Sequence, residues 1–173
     1  MTLAFSYAHS RDELIALSAV LDRGFEQPKG TTIWRTGLLF ELVQSGQLLV
    51  LATRADVPVG GLVALRGDGH AALTHIAVTP EARRAGIGHA LFCELTAWAE
   101  KQGFPEIRWN VEPDNAAAIA AYTSWGARIT GELEEAFCFN SPAPVLGVVW
   151  RFDSWFDENP KAQTPAPGMA KTT

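Results

Sequence analysis

The most informative stretch of the sequence is Arg83-Arg84-Ala85-Gly86-Ile87-Gly88. It follows an apolar run over residues 71–78, stopped by Thr79-Pro80, which predicts a strand. It precedes apolar residues at helical spacing, which predict a helix over residues 86–102. The start of a helix has unpaired N–H groups and a partial positive charge, so it favours a phosphate group. Glycines let the phosphate approach the backbone and arginines add positive charge, so the stretch predicts a diphosphate-binding turn.

Other interpretations of this turn stay open. Glycine can serve only the geometry of a strand-to-helix turn, and arginine only solubility, because short glycine motifs carry little weight singly. An ATP site is less favoured. No lysine follows the glycines as a P-loop requires, and no second glycine-rich dinucleotide fingerprint is present.

The segments on both sides of the turn predict an α+β fold around one mixed sheet. Ser10 and Glu13 form a capping box, which predicts a first helix over residues 11–22. A loop over residues 24–32 and a second apolar stripe ending near Gly46 complete a helix-loop-helix unit. Strands are predicted at residues 48–53, 59–65, 71–78, 107–111, 127–139 and 145–152, and an alanine-rich helix at residues 115–125. The first three of these strands form a predicted meander.

A second block, over residues 115–127, has the sequence N-A-A-A-I-A-A-Y-T-S-W-G-A and contains Asn115, Ala118, Tyr122 and Gly126. This block resembles the Asn-x-x-Ala-x-x-x-Tyr-x-x-x-Gly helix of the GNAT superfamily, the acyl-CoA-dependent N-acyltransferases. The stretch from Arg83 to Gly88 is similar to the same family's Gln/Arg-x-x-Gly-x-Gly/Ala signature. Two matched blocks at the usual separation support the resemblance, which covers roughly residues 11–152.

The resemblance implies a mixed, mostly antiparallel central β-sheet flanked by helices, with splayed fourth and fifth strands. Residues 76–78 and 107–111 belong to these two strands, and the pantetheine arm of acetyl-CoA would lie between them like an added strand. The resemblance implies the following cofactor-binding residues: Ile76, Ala77, Val78, Arg83, Arg84, Ala85, Gly86, Ile87, Gly88, His89, Asn115, Ala118 and Tyr122.

The implied activity is transfer of an acetyl group from acetyl-CoA to a primary amine of a small molecule or peptide, by direct attack in a ternary complex. A backbone N–H near Val78 would stabilise the oxyanion. Tyr122 stands where the family places its catalytic general acid, and a phenol can protonate a departing thiolate of similar basicity. The alternative is a tyrosine in the wall of the site whose hydroxyl only hydrogen-bonds the sulfur.

The general base stays unassigned. Family members that use one often place it at positions matching Ala72 or Thr74, and neither residue is a base. Strand alternation directs His75 to the face opposite Thr74 and Ile76, where a structural role is favoured. Glu112 could receive the amine proton through water, but a solvated carboxylate at a strand end explains it equally well.

The resemblance implies an acceptor side formed by residues 24–32 and 131–145. Four glutamates in these segments would attract a cationic amine: Glu26, Glu132, Glu134 and Glu135. A solvated edge strand is the more common explanation of such residues. The second hypothesis for the whole chain is a non-catalytic acyl-CoA-binding regulatory module, which would bind acyl-CoA without releasing thiol when an amine is added.

Composition limits the remaining possibilities. The 173 residues predict one acetyltransferase domain over residues 1–156 and a flexible, proline-rich tail over residues 157–173. The formal charge of −5 argues against nucleic acid as a partner. No apolar run approaches the roughly 20 residues that span a bilayer, so we expect no membrane partner and a cytoplasmic location. Cys93 and Cys138 lack metal-ligand spacing, so no metal is expected, and a homodimer involving residues 127–139 stays open.

Overall fold

The computed structural model describes residues 2–133 and 144–152. The strands in these ranges are β1 (Leu3–Tyr7), β2 (Leu48–Arg54), β3 (Val57–Arg66), β4 (Ala71–Val78), β5 (Glu106–Val111), β6 (Arg128–Leu133) and β7 (Val145–Arg151). The helices are α1 (Arg11–Gly24), α2 (Thr36–Gln44), α3 (Ile87–Lys101) and α4 (Ala116–Ser124), and a 3-10 turn covers Pro80–Ala82. Part of the strand predicted at residues 127–139 and the predicted tail at residues 157–173 lie outside the described residues.

The seven strands of the described residues form one sheet in the order β1-β2-β3-β4-β5-β7-β6. Neighbouring strands are antiparallel except β4 and β5, which are parallel. The predicted mixed, mostly antiparallel sheet flanked by helices is therefore confirmed. β4 and β5 pair only at Ala71 with Ile107 and at Ala72 with Arg108. Beyond these pairs the two strands diverge, which confirms the splayed fourth and fifth strands.

The first strand differs from the sequence prediction, which began the sheet with a three-stranded meander. β1 pairs antiparallel with β2, from Leu3 opposite Arg54 to Tyr7 opposite Val50. Leu3 and Phe5 pack against the core, so the alternation of apolar residues in this segment was the available signal. A strand of only five residues is stabilised by its partner rather than by its own pattern.

Side-chain caps mark the starts of α1 and α4, close to where the sequence predicted these helices to begin. At α1, the Ser10 hydroxyl accepts from the Glu13 N–H at 3.3 Å, and the Glu13 carboxylate accepts from the Ser10 N–H at 3.0 Å. The hydrogen bonds from Ser10 lower the pKa of Glu13 to about 2. At α4, the side-chain oxygen of Asn115 accepts from the Ala118 N–H at 3.1 Å. None of the helices in the described part of the chain combines the length and the apolar composition that a membrane span requires.

Helices cover both faces of the sheet, α3 on one side and α1 with α2 on the other. Consecutive glycines in β3 allow close packing on both sides. A Cβ on Gly60 would lie 3.1 Å from the Leu91 side chain in α3, and a Cβ on Gly61 would lie 2.5 Å from the Leu17 side chain in α1. Both helices therefore approach the backbone of β3 closely, which brings the start of α3 next to the end of β4.

A β-bulge in β4 changes which side chains face each helical layer. The register with β3 shifts so that Thr74 is an extra residue without a partner in that strand. Leu73 and Ile76 consequently both lie on the α3 face, although they are three positions apart. His75 lies on the opposite face, beside the end of α1, as strand alternation predicted relative to Ile76.

Candidate active site

Among residues 2–133 and 144–152, the divergence of β4 and β5 leaves one edge of β4 without a strand partner beyond Ala72. The Thr79 N–H donates to the Val59 carbonyl oxygen at 2.9 Å, so the backbone of this residue points toward β3. Because backbone groups alternate along a strand, those of Ile76 and Val78 point to the opening beside β5. The Ala77 side chain packs in the core under α1. Of the three residues predicted here, Ile76 and Val78 present backbone groups to the opening.

The turn from Arg83 to Gly88 joins β4 to α3 and has an unusual backbone. Arg84 has a φ of 62°, and Gly86, the N-cap of α3, has a φ of 75°. Such a φ costs a residue with a side chain about 1–2 kcal/mol, so its surroundings must hold Arg84 in this conformation. The Ala90 N–H donates to the Gly86 carbonyl oxygen at 3.0 Å. The N–H groups before residue 90 have no partner inside the helix, so they are available to an anion.

Side chains around this turn leave its backbone accessible. Ile87 is buried in the core, whereas Ala85 and His89 are exposed. A Cβ on Gly88 would lie 3.6 Å from the Trp125 ring, which is ordinary contact distance. Gly88 therefore keeps a space open between the start of α3 and this aromatic ring.

The two arginines of the turn have different surroundings. The Arg83 guanidinium donates to the Gly24 carbonyl oxygen at 2.8 Å and to the Val78 carbonyl oxygen at 3.4 Å. It also lies 3.5 Å from the Glu26 carboxylate. Arg84 is exposed and forms no ion pair with the residues that the structure describes. Arg83 thus joins the ends of α1 and β4, and Arg84 keeps its charge accessible to an anion.

Tyr122 lies on α4 between two tryptophans. Its ring is edge-on to Trp109, with ring centres 5.2 Å apart, and to Trp125 at 5.4 Å. The Trp150 indole N–H donates to the Trp125 carbonyl oxygen at 3.1 Å, which holds the end of α4 against β7. Burial raises the pKa of Tyr122 to about 12. Because of this raised pKa, the Tyr122 hydroxyl is protonated at neutral pH. It forms no hydrogen bond within residues 2–133 and 144–152, so its proton is available to a ligand.

The remaining residues of the second block shape α4. Asn115 and Ala118 form the N-terminal cap described above. Gly126 has a φ of 88° directly after the helix, a conformation that favours glycine. These contacts set where α4 begins and ends, and therefore where Tyr122 lies.

A buried polar atom without a partner lies beside Tyr122. The Trp109 side chain is 2% exposed, and its indole Nε1 forms no hydrogen bond with the described residues. Trp109 directly follows the last residue of β5 that pairs with β4, so it lies where the opening starts. An unpaired buried donor costs about 1–3 kcal/mol, which favours a ligand or a water as its partner. No local sequence pattern distinguishes an indole of this kind from that of an ordinary core tryptophan.

The sequence matches the model of the Acetyltransferase (GNAT) family over residues 14–127, more than half of the chain. The chain belongs to the GNAT family. The matched range of this GNAT chain contains β4, the turn, β5 and α4, which are the elements around the opening.

Two curated relatives of this GNAT chain are similar over part of their length. The [ribosomal protein bS18]-alanine N-acetyltransferase of Escherichia coli (strain K12) is 36% identical over 89 residues, which are 51% of this chain and 53% of that protein. N-acetyltransferase family 8 member 3 of Rattus norvegicus is 40% identical over 77 residues, which are 43% of this chain and 34% of that protein. The chain therefore spans about half, or less, of the length of these relatives.

Solved structures share the fold of this GNAT chain. The PaiA N-acetyltransferase from Thermoplasma acidophilum, solved in complex with coenzyme A, has a TM-score of 0.71 at 16% identity, covering 88% of this chain and 100% of that chain. The ribosomal-protein-S18-alanine N-acetyltransferase from Escherichia coli has a TM-score of 0.66 at 22% identity, covering 86% of this chain and 91% of that chain. At these identities the likeness establishes the fold alone.

The histidine of β4 in this GNAT chain, His75, is unsuited to act as a base. The Trp34 indole N–H donates to His75 Nδ1 at 3.1 Å, so the neutral ring carries its proton on Nε2. Burial lowers the pKa of His75 to about 4, which keeps the ring neutral at pH 7. The Thr74 hydroxyl donates to the Val63 carbonyl oxygen at 2.7 Å. Glu112, exposed directly after β5, stays a hypothesis for the base.

Of the glutamates predicted for the acceptor side of this GNAT chain, only Glu26 has a side chain that the structure describes. Glu26 forms an ion pair with Arg83 at 3.5 Å, so its charge is already balanced. Glu134 and Glu135 lie outside the described residues, as does the side chain of Glu132. Their attraction for a cationic amine stays a prediction.

Proposed function

We propose that this protein transfers an acetyl group from acetyl-CoA to a primary amine of a small molecule or peptide, by direct attack of the amine in a ternary complex. The observation that carries the proposal is the edge of β4 at Ile76 and Val78, which has no strand partner among the described residues. This edge lies along the opening in the sheet. The opening is bordered by the start of α3, which favours a phosphate group, and by α4, which carries Tyr122. Membership of the GNAT family and two relatives named as N-acetyltransferases support it.

The residues around the opening fit the parts of acetyl-CoA. Its diphosphate is an anion, and the first N–H groups of α3 together with Arg84 form a site for one. Its pantetheine arm carries amide groups, which suit the backbone of β4 at Ile76 and Val78, where no strand pairs among the described residues. The buried Trp109 N–H is a further donor that has no partner among the described residues. Gly88 has no side chain and leaves room beside the proposed position of the pantetheine arm.

Acetyl-CoA supplies an acyl thioester, whose carbonyl carbon an amine can attack. The Val78 N–H points to the opening and would stabilise negative charge on the carbonyl oxygen. As the C–S bond breaks, the Tyr122 hydroxyl, with its pKa raised to about 12, would donate its proton to the leaving sulfur. The amine nitrogen would lose its proton to water, or to Glu112 through water, and Tyr122 would be reprotonated from solvent. The apolar rings around Tyr122 disfavour a phenolate and a thiolate alike, so the burial that raises the pKa of Tyr122 also favours protonation of the sulfur.

The competing function is a non-catalytic acyl-CoA-binding regulatory module. Both functions use the turn before α3 and the edge of β4. Only an enzyme needs a proton donor, and the protonated Tyr122 hydroxyl without a partner in the described residues favours the enzyme.

Calorimetric titration with acetyl-CoA, followed by detection of free thiol with a panel of amines and peptides, tests the proposal. Gly86→Glu places negative charge at the start of α3 and should abolish binding. Because Gly86 has a φ of 75°, Arg84→Ala is the second variant, which weakens binding without a backbone change. Lys101→Ala changes the charge at the other end of α3 and should bind normally.

Each outcome of this experiment has a distinct meaning. Binding with thiol release supports the enzyme, and binding without release by any amine indicates the regulatory module. Equal binding by wild type, Arg84→Ala and Gly86→Glu would overturn the proposed site. No binding of acetyl-CoA by a folded wild-type protein would overturn both functions.

The proposal also includes a cytoplasmic location, and a homodimer is compatible with it. β6 is an edge strand of the sheet in the described residues, and such an edge can pair with a second copy. Cell fractionation and light scattering of the purified protein test these two points.

A further inference from the structure

A groove lies over β5, β7 and β6 on the sheet face opposite α3. Its volume is about 180 Å³. The residues on that face that line it are Arg108, Arg128, Thr130, Gly147, Val149 and Arg151. The alternating neighbours Trp109 and Val148 pack in the core on the α3 side. This site, called the arginine groove below, therefore lies on the other face of the sheet from Tyr122.

Strand register explains the shape of the arginine groove. Gly147 lies within β7 and has no side chain, and Val149 supplies a short apolar floor. Arg108 in β5 and Arg128 in β6 are both paired with Val149. Neighbouring strands lie about 4.8 Å apart, so the two arginines stand on opposite sides of this floor with backbones about 10 Å apart.

The arginine groove keeps positive charge. The buried Glu106 carboxylate forms ion pairs with Arg108 and with Arg151, the latter at 2.7 Å. Arg128 takes part in neither of these ion pairs. Arg128 is exposed and forms no ion pair within the described ranges. Although the whole chain has a formal charge of −5, this guanidinium is a local site of attraction for an anion.

The arginine groove leads toward the opening between β4 and β5. From Arg108, β5 continues through Asn110, which pairs with Gly147, to Val111 at the open end. Three residues of strand span about 10 Å. An extended peptide that starts at the opening and runs along β7 would therefore reach the level of Arg128 about three residues after its first residue.

We propose that the acceptor is a peptide whose N-terminal amine enters the opening and whose acidic side chain, about three residues along, binds Arg128 in the arginine groove. This inference rests on the proposed acetyl transfer. A carboxylate accepts two parallel hydrogen bonds from a guanidinium, whereas a lysine in the same place is repelled. A free amino acid is too short to reach both the opening and Arg128.

Matched peptides with Asp, Asn or Lys at their third and fourth positions test the inference, with thiol release measured at saturating acetyl-CoA. We expect kcat/KM for the Asp peptide to exceed that for the Asn peptide about tenfold, mainly through KM. Arg128→Gln should reduce this ratio to within about twofold and leave acetyl-CoA affinity unchanged, while Arg128→Lys should keep part of the preference. Arg11→Gln, an exposed position on α1, is the matched control and should behave as wild type.

Three results would overturn the inference: equal rates for the Asp and Asn peptides, a preference for the Lys peptide, or a preference that survives Arg128→Gln. The carboxylate could come from a free amino acid or from a peptide side chain, and free aspartate and free glutamate separate these two sources. A higher kcat/KM for either amino acid than for the Asp peptide overturns the peptide acceptor. If no amine releases thiol, the peptides are titrated into the acetyl-CoA complex. If the Asp peptide binds and this binding depends on Arg128, only the proposed catalysis has failed. If the Asp peptide does not bind in this way, the arginine groove as a peptide site is overturned as well.

Discussion

The Trp34 indole N–H donates to Nδ1 of His75 at 3.1 Å and joins two residues 41 positions apart in the chain. Trp34 is buried in the segment before α2, and His75 lies in β4 directly after the bulge. This hydrogen bond ties the helical layer to the strand that borders the opening. Protonation of His75 Nδ1 would break it, so the contact requires a neutral ring.

The free energy of unfolding should fall as the pH falls from about 6.5 to about 4. Burial lowers the pKa of His75 from its usual 6.5 to about 4, so the unfolded state binds the proton first. The stabilisation that the neutral His75 contributes is complete above pH 6.5. On the order of 3 kcal/mol of it is lost as the pH falls to about 4. Urea unfolding across this pH range measures it. His75→Gln should remove this part of the pH dependence, and the exposed His89→Gln should keep it; identical profiles for wild type and His75→Gln would contradict the assignment.

Tyr122→Phe should lower kcat for acetyl transfer by about 10²–10⁴-fold and leave the affinity for acetyl-CoA within about twofold. The ring keeps its contacts with Trp109 and Trp125, and only the proton donor is lost. Because burial raises the pKa of Tyr122 to about 12, wild-type kcat should show no alkaline loss from this residue at pH 10, where an ordinary tyrosine is half ionised. Steady-state kinetics against pH measure both effects. An unchanged kcat in Tyr122→Phe would limit the hydroxyl to contact with the sulfur.

Two alanine substitutions in the turn should have opposite effects on stability. Gly86→Ala should destabilise the fold by about 1–2 kcal/mol, since Gly86 has a φ of 75° and its cost is conformational, with no atom near an added Cβ. Gly88→Ala should stabilise α3 by up to about 1 kcal/mol, because its Cβ would be at ordinary contact distance. Both should weaken acetyl-CoA binding, and denaturant titration with calorimetry separates the two quantities. Normal binding by Gly88→Ala would show that the space beside Trp125 is not used.

Trp109→Phe should weaken acetyl-CoA binding while changing the free energy of unfolding by less than about 1 kcal/mol. The substitution removes an N–H that has no partner among the described residues and keeps an aromatic ring against Phe92 and Tyr122. Trp98→Phe, in the contact of α3 with Phe104, is the control for loss of an indole. Calorimetry and urea unfolding are the measurements. Unchanged affinity would mean that water, rather than the cosubstrate, is the partner of Trp109.

The sequence predicted the local elements well because their signals lie within a few residues of each other. The capping box of Ser10 and Glu13 and the cap of Asn115 mark helix starts that the structure also has. Gly86 marks the start of α3 for the same reason, since its φ of 75° suits the residue before that helix. The splayed strands followed from the family resemblance and not from periodicity.

Other parts of the site depended on contacts that no local pattern contains. The bulge at Thr74 decides which side chains of β4 face the opening, and it arises from pairing with β3. Arg83, which stays a prediction for the diphosphate, also donates to the Gly24 carbonyl oxygen, 59 positions away in the chain. The unpaired N–H of Trp109 and the separate roles of the two arginines likewise became visible only in the folded chain.

The sequence by itself determined the helix caps, the turn before α3, the helix that carries Tyr122 and the resemblance to the GNAT family, because each is encoded by residues a few positions apart. Only the tertiary structure decided the bulge at Thr74, the partners of Arg83 and the arginine groove. Arg108 and Arg128 flank one valine of β7, and that arrangement depends on the register of three strands. Strand register is set by side chains packed across the whole sheet, so it belongs to the fold and not to any segment of the chain.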